Sequence, residues 1–373
     1  MAGLYIHIPF CKSKCGYCDF YSISDLVHTV PLLEALKNEM ERERGFFGEE
    51  PLRTIYIGGG TPSVYAPAQL QSLINKAAEI WGAGALEEVT VEVNPDDLSS
   101  HYLKGLAATA VDRLSIGIQS FDDRDLLFMN RRHTGEVARA AVREARKTGF
   151  RNISADLIYG IPGATAAGLR KNIDSLLSLG VEHISAYHLT IEEATPFGRL
   201  AAANRLAPVD EAVSEEQYLL LHHRLTEAGY EHYEISNFAL PGYKARHNRS
   251  YWKGTPYLGV GPSAHSFDGT IRRSSPCNVE QYLNARNGVP YRTETLTAGE
   301  RRNEYVMTAL RCAEGVDIGL MEERFGRVAA EKFAARAEKF LRQGVMRRQE
   351  GRFFILPEKF LLSDSVICDL FDE

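Results

Sequence analysis

The chain has 373 residues, 44% of them hydrophobic and 25% charged, enough to bury a large core in more than one domain and too evenly mixed for a disordered or fibrous chain. Its formal charge of −6, from 43 basic and 49 acidic residues, argues against a global nucleic-acid-binding surface. No apolar run approaches the roughly 18 residues of a membrane span, no signal-peptide pattern precedes Leu4, and six cysteines in so long a chain do not form a disulfide scaffold, so the cytoplasm is the expected compartment.

Residues 4–8 form an apolar run that reads as a buried strand, ended by Pro9, which lacks a backbone donor and fixes its own φ. Cys11, Cys15 and Cys18 follow on the loop behind it, spaced so that neighbouring thiolates can turn inward around one soft centre. A structural zinc site takes four ligands, usually in two paired clusters, and there is no second Cys-x-x-Cys. An iron–sulfur cubane is normally held by four cysteines, one per iron, so three leave one iron open to something that is not protein. Single cysteines are more often inert core residues, and Cys277, Cys312 and Cys368, isolated in sequence, are read that way.

Residues 30–47 carry Leu32, Leu33, Leu36, Met40 and Phe47 near helical spacing, with Pro31 suited to a first turn. Strand-then-helix units follow: strands at 54–57, 89–93, 113–118, 153–158 and 183–187, helices at 67–81, 98–108, 136–148 and 169–179. Six strands alternating with helices imply a parallel α/β sheet with right-handed crossovers, which presents its function at the strand C-termini. Gly58 to Gly60, Glu92, Gln119, Asp156 and Thr190 all fall at or near such ends. Singly, the glycines read as a tight turn, Asp156 as a core carboxylate and Gln119 as a loop amide; their common address is the argument for function.

Residues 195–208 read as a loop, and 211–228 as an amphipathic helix. The segments Tyr230 to Ala239, His247-Asn-Arg-Ser-Tyr-Trp252 and Tyr257 to Ser266 are dense in His, Tyr and Trp around glycines, and by residue type alone they read as an aromatic corner. Helices at 299–311, 318–325 and 328–341 and a hairpin at 345–356, turning at Glu350-Gly351, resemble a winged helix. Its charges alternate in sign along the third helix, so a solvated face is expected there and no nucleic-acid partner. The expected domains are 1–208, 209–288 and 289–373.

The Cys-x3-Cys-x2-Cys loop behind a first strand, with Tyr17 before the last cysteine, resembles the radical S-adenosylmethionine (SAM) enzymes. The wider stretch Tyr5-Ile-His-Ile-Pro-Phe-Cys11 resembles one branch, which holds the oxygen-independent coproporphyrinogen oxidases and the related heme chaperones. The resemblance implies a partial (β/α)6 barrel with a C-terminal α/β extension and a winged-helix-like terminal domain. It also implies a [4Fe-4S] cluster on Cys11, Cys15 and Cys18 whose open iron is chelated by SAM. The SAM contacts it carries over are Tyr5, Tyr17, Gly59, Gly60, Thr61, Glu92, Gln119, Arg131, Asp156, Thr190 and His265. By type, Glu92 suits an ammonium, Arg131 a carboxylate and Asp156 a ribose diol.

His-Asn-x-x-Tyr-Trp resembles a pattern of the heme-chaperone branch, which makes His247 the expected axial heme ligand. Two departures count against the oxidase reading: Asp19 follows Cys18 where the oxidases carry Gly and then a further cysteine, and their long segment before the first strand has no counterpart ahead of Tyr5. The resemblance thus implies a protein that carries heme to an acceptor protein and draws on a flavodoxin- or ferredoxin-like reductant. The alternative is oxidative decarboxylation of porphyrinogen propionates. A third reading, a cluster-sensing regulator, needs a basic recognition face that the terminal segment lacks. The acceptor's identity, membrane association and a homodimer are left open.

Overall fold

The computed structural model describes residues 2–285 and 288–372. The first half is built from β1 (Ala2–Ile8), α1 (Thr29–Arg42), β2 (Leu52–Gly59), α2 (Pro67–Trp81), β3 (Glu88–Val93), α3 (Ser100–Ala107), β4 (Arg113–Gln119), α4 (Asp123–Phe128), α5 (Gly135–Lys147), β5 (Asn152–Tyr159), α6 (Ala166–Leu179) and β6 (His183–His188). The strands β1 to β6 lie side by side in chain order, all parallel, as the repeated strand–helix pattern requires.

Alternation along these strands separates two environments. One face carries Ile55, Ile57, Val89, Val91, Leu114, Ile116, Ile153, Ala155 and Ile184, buried in a single apolar cluster with Leu36, Leu73, Leu103, Val142 and Ile173 of the helices. The other carries Tyr5, His7, Thr54, Tyr56, Thr90, Glu92, Arg113, Ser115, Ser154, Asp156, His183 and Ser185, which share the opposite parity along their strands. The apolar face holds the fold together, and the polar face is left for chemistry.

Beyond β6 come α7 (Pro196–Ala202), α8 (Glu211–Glu227), β7 (Glu231–Glu234), β8 (Asn237–Ala239), α9 (Arg246–Trp252), β9 (Tyr257–Val260), β10 (His265–Phe267), β11 (Ile271–Ser274), α10 (Val279–Leu283) and β12 (Arg292–Thr295). These strands extend both edges of the first sheet: β8 and then β7 beyond β6, and β9 to β12 beyond β1, giving the order β12-β11-β10-β9-β1-β2-β3-β4-β5-β6-β8-β7. Only β9, parallel to β1, continues the parallel run; the other added strands are antiparallel to their neighbours.

The helix α7 takes up the first half of the loop expected over 195–208, and 203–208 remain irregular. Thr195 caps it, its hydroxyl accepting from Gly198 N–H at 3.0 Å, and Pro196 occupies the first turn, where its missing donor costs nothing.

The terminal unit holds α11 (Ala298–Leu310), β13 (Val316–Asp317), α12 (Ile318–Phe325), α13 (Arg327–Arg342), β14 (Met346–Gln349), β15 (Arg352–Ile355) and α14 (Ser363–Leu370). The three helices and the hairpin stand where the sequence put them, with β13 completing a small antiparallel sheet of order β13-β15-β14. The unit docks on the first sheet: Ile235 N–H donates to Arg311 O at 3.0 Å, Ala313 N–H to Tyr233 O at 3.0 Å, and Arg249 pairs with Glu314 at 2.7 Å.

Candidate functional site

The cysteine loop leaves β1 at Pro9 and returns at Ile23, and two backbone bonds clamp its neck: Ile23 N–H to Pro9 O at 2.7 Å and Cys11 N–H to Ile23 O at 2.9 Å. Its far end is held from elsewhere. Gly16 donates to Met129 O at 3.1 Å and accepts from Phe197 N–H at 2.9 Å, while the Asn130 amide donates to Lys14 O at 2.8 Å. A Cβ at Gly16 would lie 2.4 Å from the Phe197 ring, so only glycine lets α7 close on the loop here. The exit of β2 is fastened to the same loop, with Gly60 N–H donating to Ile8 O at 2.8 Å and Thr61 N–H to Phe10 O at 2.7 Å.

The three thiols are free and half-buried. A chain of side chains joins two of them: Thr61 Oγ1 donates to Cys11 Sγ at 3.5 Å, the Asn94 amide donates to Thr61 Oγ1 at 3.0 Å, Arg131 donates to Asn94 Oδ1 at 2.7 Å, and its other terminal nitrogen donates to Cys15 Sγ at 3.4 Å. Donors aimed at sulfur favour the thiolate, against burial that pushes the Cys11 thiol up and the Cys18 thiol up to about 11. Among the described residues, no three His, Cys, Asp or Glu side chains are grouped to hold a single metal ion. Three spread thiols on one clamped loop fit a cluster that takes one thiolate per iron.

The remaining expected contacts line the strand ends beside this loop. Glu92 on β3 accepts from Gly59 N–H at 2.9 Å and from the Tyr56 hydroxyl at 2.7 Å, and burial raises its pKa. Asp156 on β5 accepts from the Ser115 hydroxyl at 3.4 Å and is pushed up to about 7, first by burial and then by the charge of Glu92. Gln119 ends β4 with φ at 68°, a left-handed backbone rare for a side-chain-bearing residue, where the β4–β5 register also breaks. A Cβ at Gly117 would meet the Gln119 amide at 3.0 Å, Arg131 at 3.3 Å and Asn94 at 3.5 Å, so these three polar groups crowd over one glycine.

Tyr5 on β1 places its hydroxyl 2.9 Å from His7 Nδ1; since His7 Nε2 donates to Tyr21 O at 3.0 Å, the tyrosine is the donor. Tyr17 packs beside the buried group of Leu126, Met129 and Phe197. Thr190 lies exposed just past β6, and His265, also exposed, opens β10 within the electrostatic reach of His7.

His247 does not stand at this address. It is fully buried on α9, stacked on Tyr56 at 5.2 Å, with Nδ1 2.8 Å from Thr54 Oγ1 and Nε2 2.8 Å from the Tyr251 hydroxyl. The Glu88 carboxylate caps its helix, accepting from Arg246 and His247 N–H at 2.9 and 3.0 Å. Both ring nitrogens are engaged within the protein and the ring is fully buried, so ligation of iron by His247 would require one of these two hydrogen bonds to be given up. His188 Nε2 lies 2.9 Å from the Ser214 hydroxyl and His232 Nδ1 3.0 Å from His222 Nδ1, while His232 Nε2 is buried without a hydrogen-bond partner.

Sequence reasoning missed Asn94, although an amide at a parallel strand's C-terminal end was itself a signal. It also passed over Tyr187, 44% exposed on β6 and facing Asp156.

The model of the Radical SAM superfamily matches residues 5–176, and that of the HemN C-terminal domain matches residues 296–358. The chain is 35% identical over 373 residues to the heme chaperone HemW of Bacillus subtilis, covering 98% of each chain, and 34% identical to that of Lactococcus lactis, covering 97% of this chain and 95% of the relative. Its fold matches the solved coproporphyrinogen III oxidase HemN of Escherichia coli with a TM-score of 0.84 over 99% of this chain and 90% of that one, at 23% identity. With a cysteine loop, a glycine turn and inward carboxylates assembled at the ends of parallel strands, and with relatives matched almost end to end, the chain belongs to the HemW family within the radical SAM superfamily.

Proposed function

We propose that this protein is a heme chaperone, which binds heme as cargo and passes it to an acceptor protein while holding a SAM-coordinated [4Fe-4S] cluster on Cys11, Cys15 and Cys18. The carrying observation is the near-complete alignment with proteins named heme chaperones, 98% of each chain for the Bacillus subtilis relative. The likeness to the oxidase, at 23% identity, speaks for the fold alone. When bound, such a cluster supplies one-electron chemistry at its open iron, fed by a flavodoxin- or ferredoxin-like reductant.

The chain's own residues bind and orient. Glu92 accepts from the ammonium of SAM, Asp156 takes the ribose hydroxyls, and the backbone of Gly59 to Thr61 approaches closely enough to hydrogen-bond the ligand. Arg131 contributes positive charge for the carboxylate, and Asn94 fixes its orientation; Tyr5, Tyr17, Gln119, Thr190 and His265 complete the lining. Hemin titrated into the anaerobic, cluster-loaded protein should give a saturable bound-heme absorption band, and the loaded protein should then transfer heme to an apo-hemoprotein. A chain that neither develops the band nor transfers heme, but decarboxylates coproporphyrinogen III, is an oxidase instead.

A further inference from the structure

Below the site just described, the polar face of the sheet carries a second layer that neither the cysteine loop nor the proposed SAM contacts use: Thr54 on β2, Thr90 on β3, Arg113 on β4, Ser154 on β5 and His183 on β6. Several of its members are paired. Thr54 meets His247 at 2.8 Å, Ser154 Oγ lies 2.7 Å from His183 Nδ1, and His183 Nε2 lies 2.7 Å from the Tyr233 hydroxyl. Two members are not: Thr90 Oγ1 has no hydrogen-bond partner, and Arg113, 1% exposed, has none at Nε and Nη1.

A guanidinium buried that deeply is costly unless opposite charge lies near. The register supplies it. Arg113 sits opposite Thr90, two residues before Glu92, and Ser115, two residues after Arg113, donates to Asp156 at 3.4 Å. Since two residues along a strand span about 6.6 Å, the long side chain starts one layer below Glu92 on β3 and, sitting opposite Asn152 on β5, two layers below Asp156. We propose that Arg113 is a positioning residue for the SAM site, a buried counter-ion that keeps Glu92 and Asp156 ionised to receive the ammonium and the ribose.

This rests on the reading of those two carboxylates as SAM contacts. Both are raised by burial, and the Arg113 charge opposes that rise in each. The other groups within its field are Tyr56 on β2, Tyr233 on β7, His183 on β6 and His247 on α9, the two histidines pushed well down by burial and by Arg113 itself. Asp112, its chain neighbour, is turned instead to Val89 N–H at 2.8 Å.

The test is SAM affinity of the cluster-loaded protein from pH 6 to 9, by anaerobic equilibrium dialysis. In the unaltered protein affinity should rise through a midpoint near 7, where Asp156 ionises. Arg113→Met should move that midpoint up by about one unit, as expected on losing an opposite charge within reach, leaving binding about fivefold weaker at pH 7 and restored at pH 9; Arg113→Lys should keep the original midpoint. An unmoved midpoint, or a loss equal at every pH, overturns the proposal.

A second arm needs neither SAM nor a stable Arg113→Met single variant. Glu92→Gln with Asp156→Asn should lower the thermal midpoint by stranding the guanidinium, and adding Arg113→Met to that pair should raise it again. A further fall on adding Arg113→Met also overturns the proposal. If this arm succeeds while SAM affinity ignores Glu92→Gln and Asp156→Asn, the counter-ion stands and the assignment of the SAM contacts fails.

Discussion

At His247, packing engages both ring nitrogens. The Thr54 and Tyr251 hydroxyls each end on one of its ring nitrogens, and the ring closes against Tyr56. Removing it strands two buried hydroxyls, at about 1–3 kcal/mol each. His247→Ala should therefore destabilise the protein by about 2–6 kcal/mol in urea denaturation, while any folded fraction keeps the heme absorption band of the unaltered chain; a shifted band with unchanged stability would mark it as a ligand. The placing of the cysteines, Gly59, Gly60, Glu92, Gln119 and Asp156 at or near strand ends was legible because residue type and position coincide in a short stretch of sequence. Asn94 and Arg113 were not, since their meaning lies in partners on other strands: Asn94 bridges to a residue 33 positions before it and another 37 after it.

Among the elements, α7 shows how a short helix far along the chain can govern the loop that opens it. Phe197 is 4% exposed, stacks on Phe128 at 4.8 Å and sits against Gly16, while its N–H holds the Gly16 carbonyl. Phe197→Ala should lower global stability by about 3–5 kcal/mol. It should also loosen the far end of the cysteine loop, so that cluster absorbance decays several-fold faster in air. Decay at the original rate would mean that the neck at Pro9 and Ile23 suffices to hold the loop. The six parallel strands were readable because each is an apolar-rich run followed by a helical period. The strands β9 to β12 were not, being three or four residues long and strands only by virtue of their neighbours in the sheet. Thr195-Pro196 was a readable helix start, obscured by the alanines and asparagine behind it.

For the molecule as a whole, two sets of buried groups oppose each other as pH changes. Burial lowers His7 and His133 to about 4, His232 and His247 to about 3, and His183 well below its ordinary value. The folded state thus binds fewer protons than the unfolded state below about 6.5, and stability is lost as pH falls through that range. Glu39, Asp156 and Glu234, raised to about 7, act with the opposite sign: the folded state binds more protons, and stability is lost as pH rises from about 4 to 7. The shifts per group are similar and the histidines are more numerous, so the urea midpoint of the cluster-free protein should fall between pH 6.5 and pH 5; a midpoint that holds or rises would show the carboxylates dominant. The sheet order also bears on how the chain is made. The strand that leads into the cysteines can pair with β2 as soon as roughly 50 further residues have been made, but the neighbour on its other side, Tyr257–Val260, is synthesised roughly 250 residues after it. At a synthesis rate of about 5–20 residues per second, that edge of β1 stays unpaired for tens of seconds. During that interval the cysteine loop is joined to a half-built sheet whose open edge can recruit other chains.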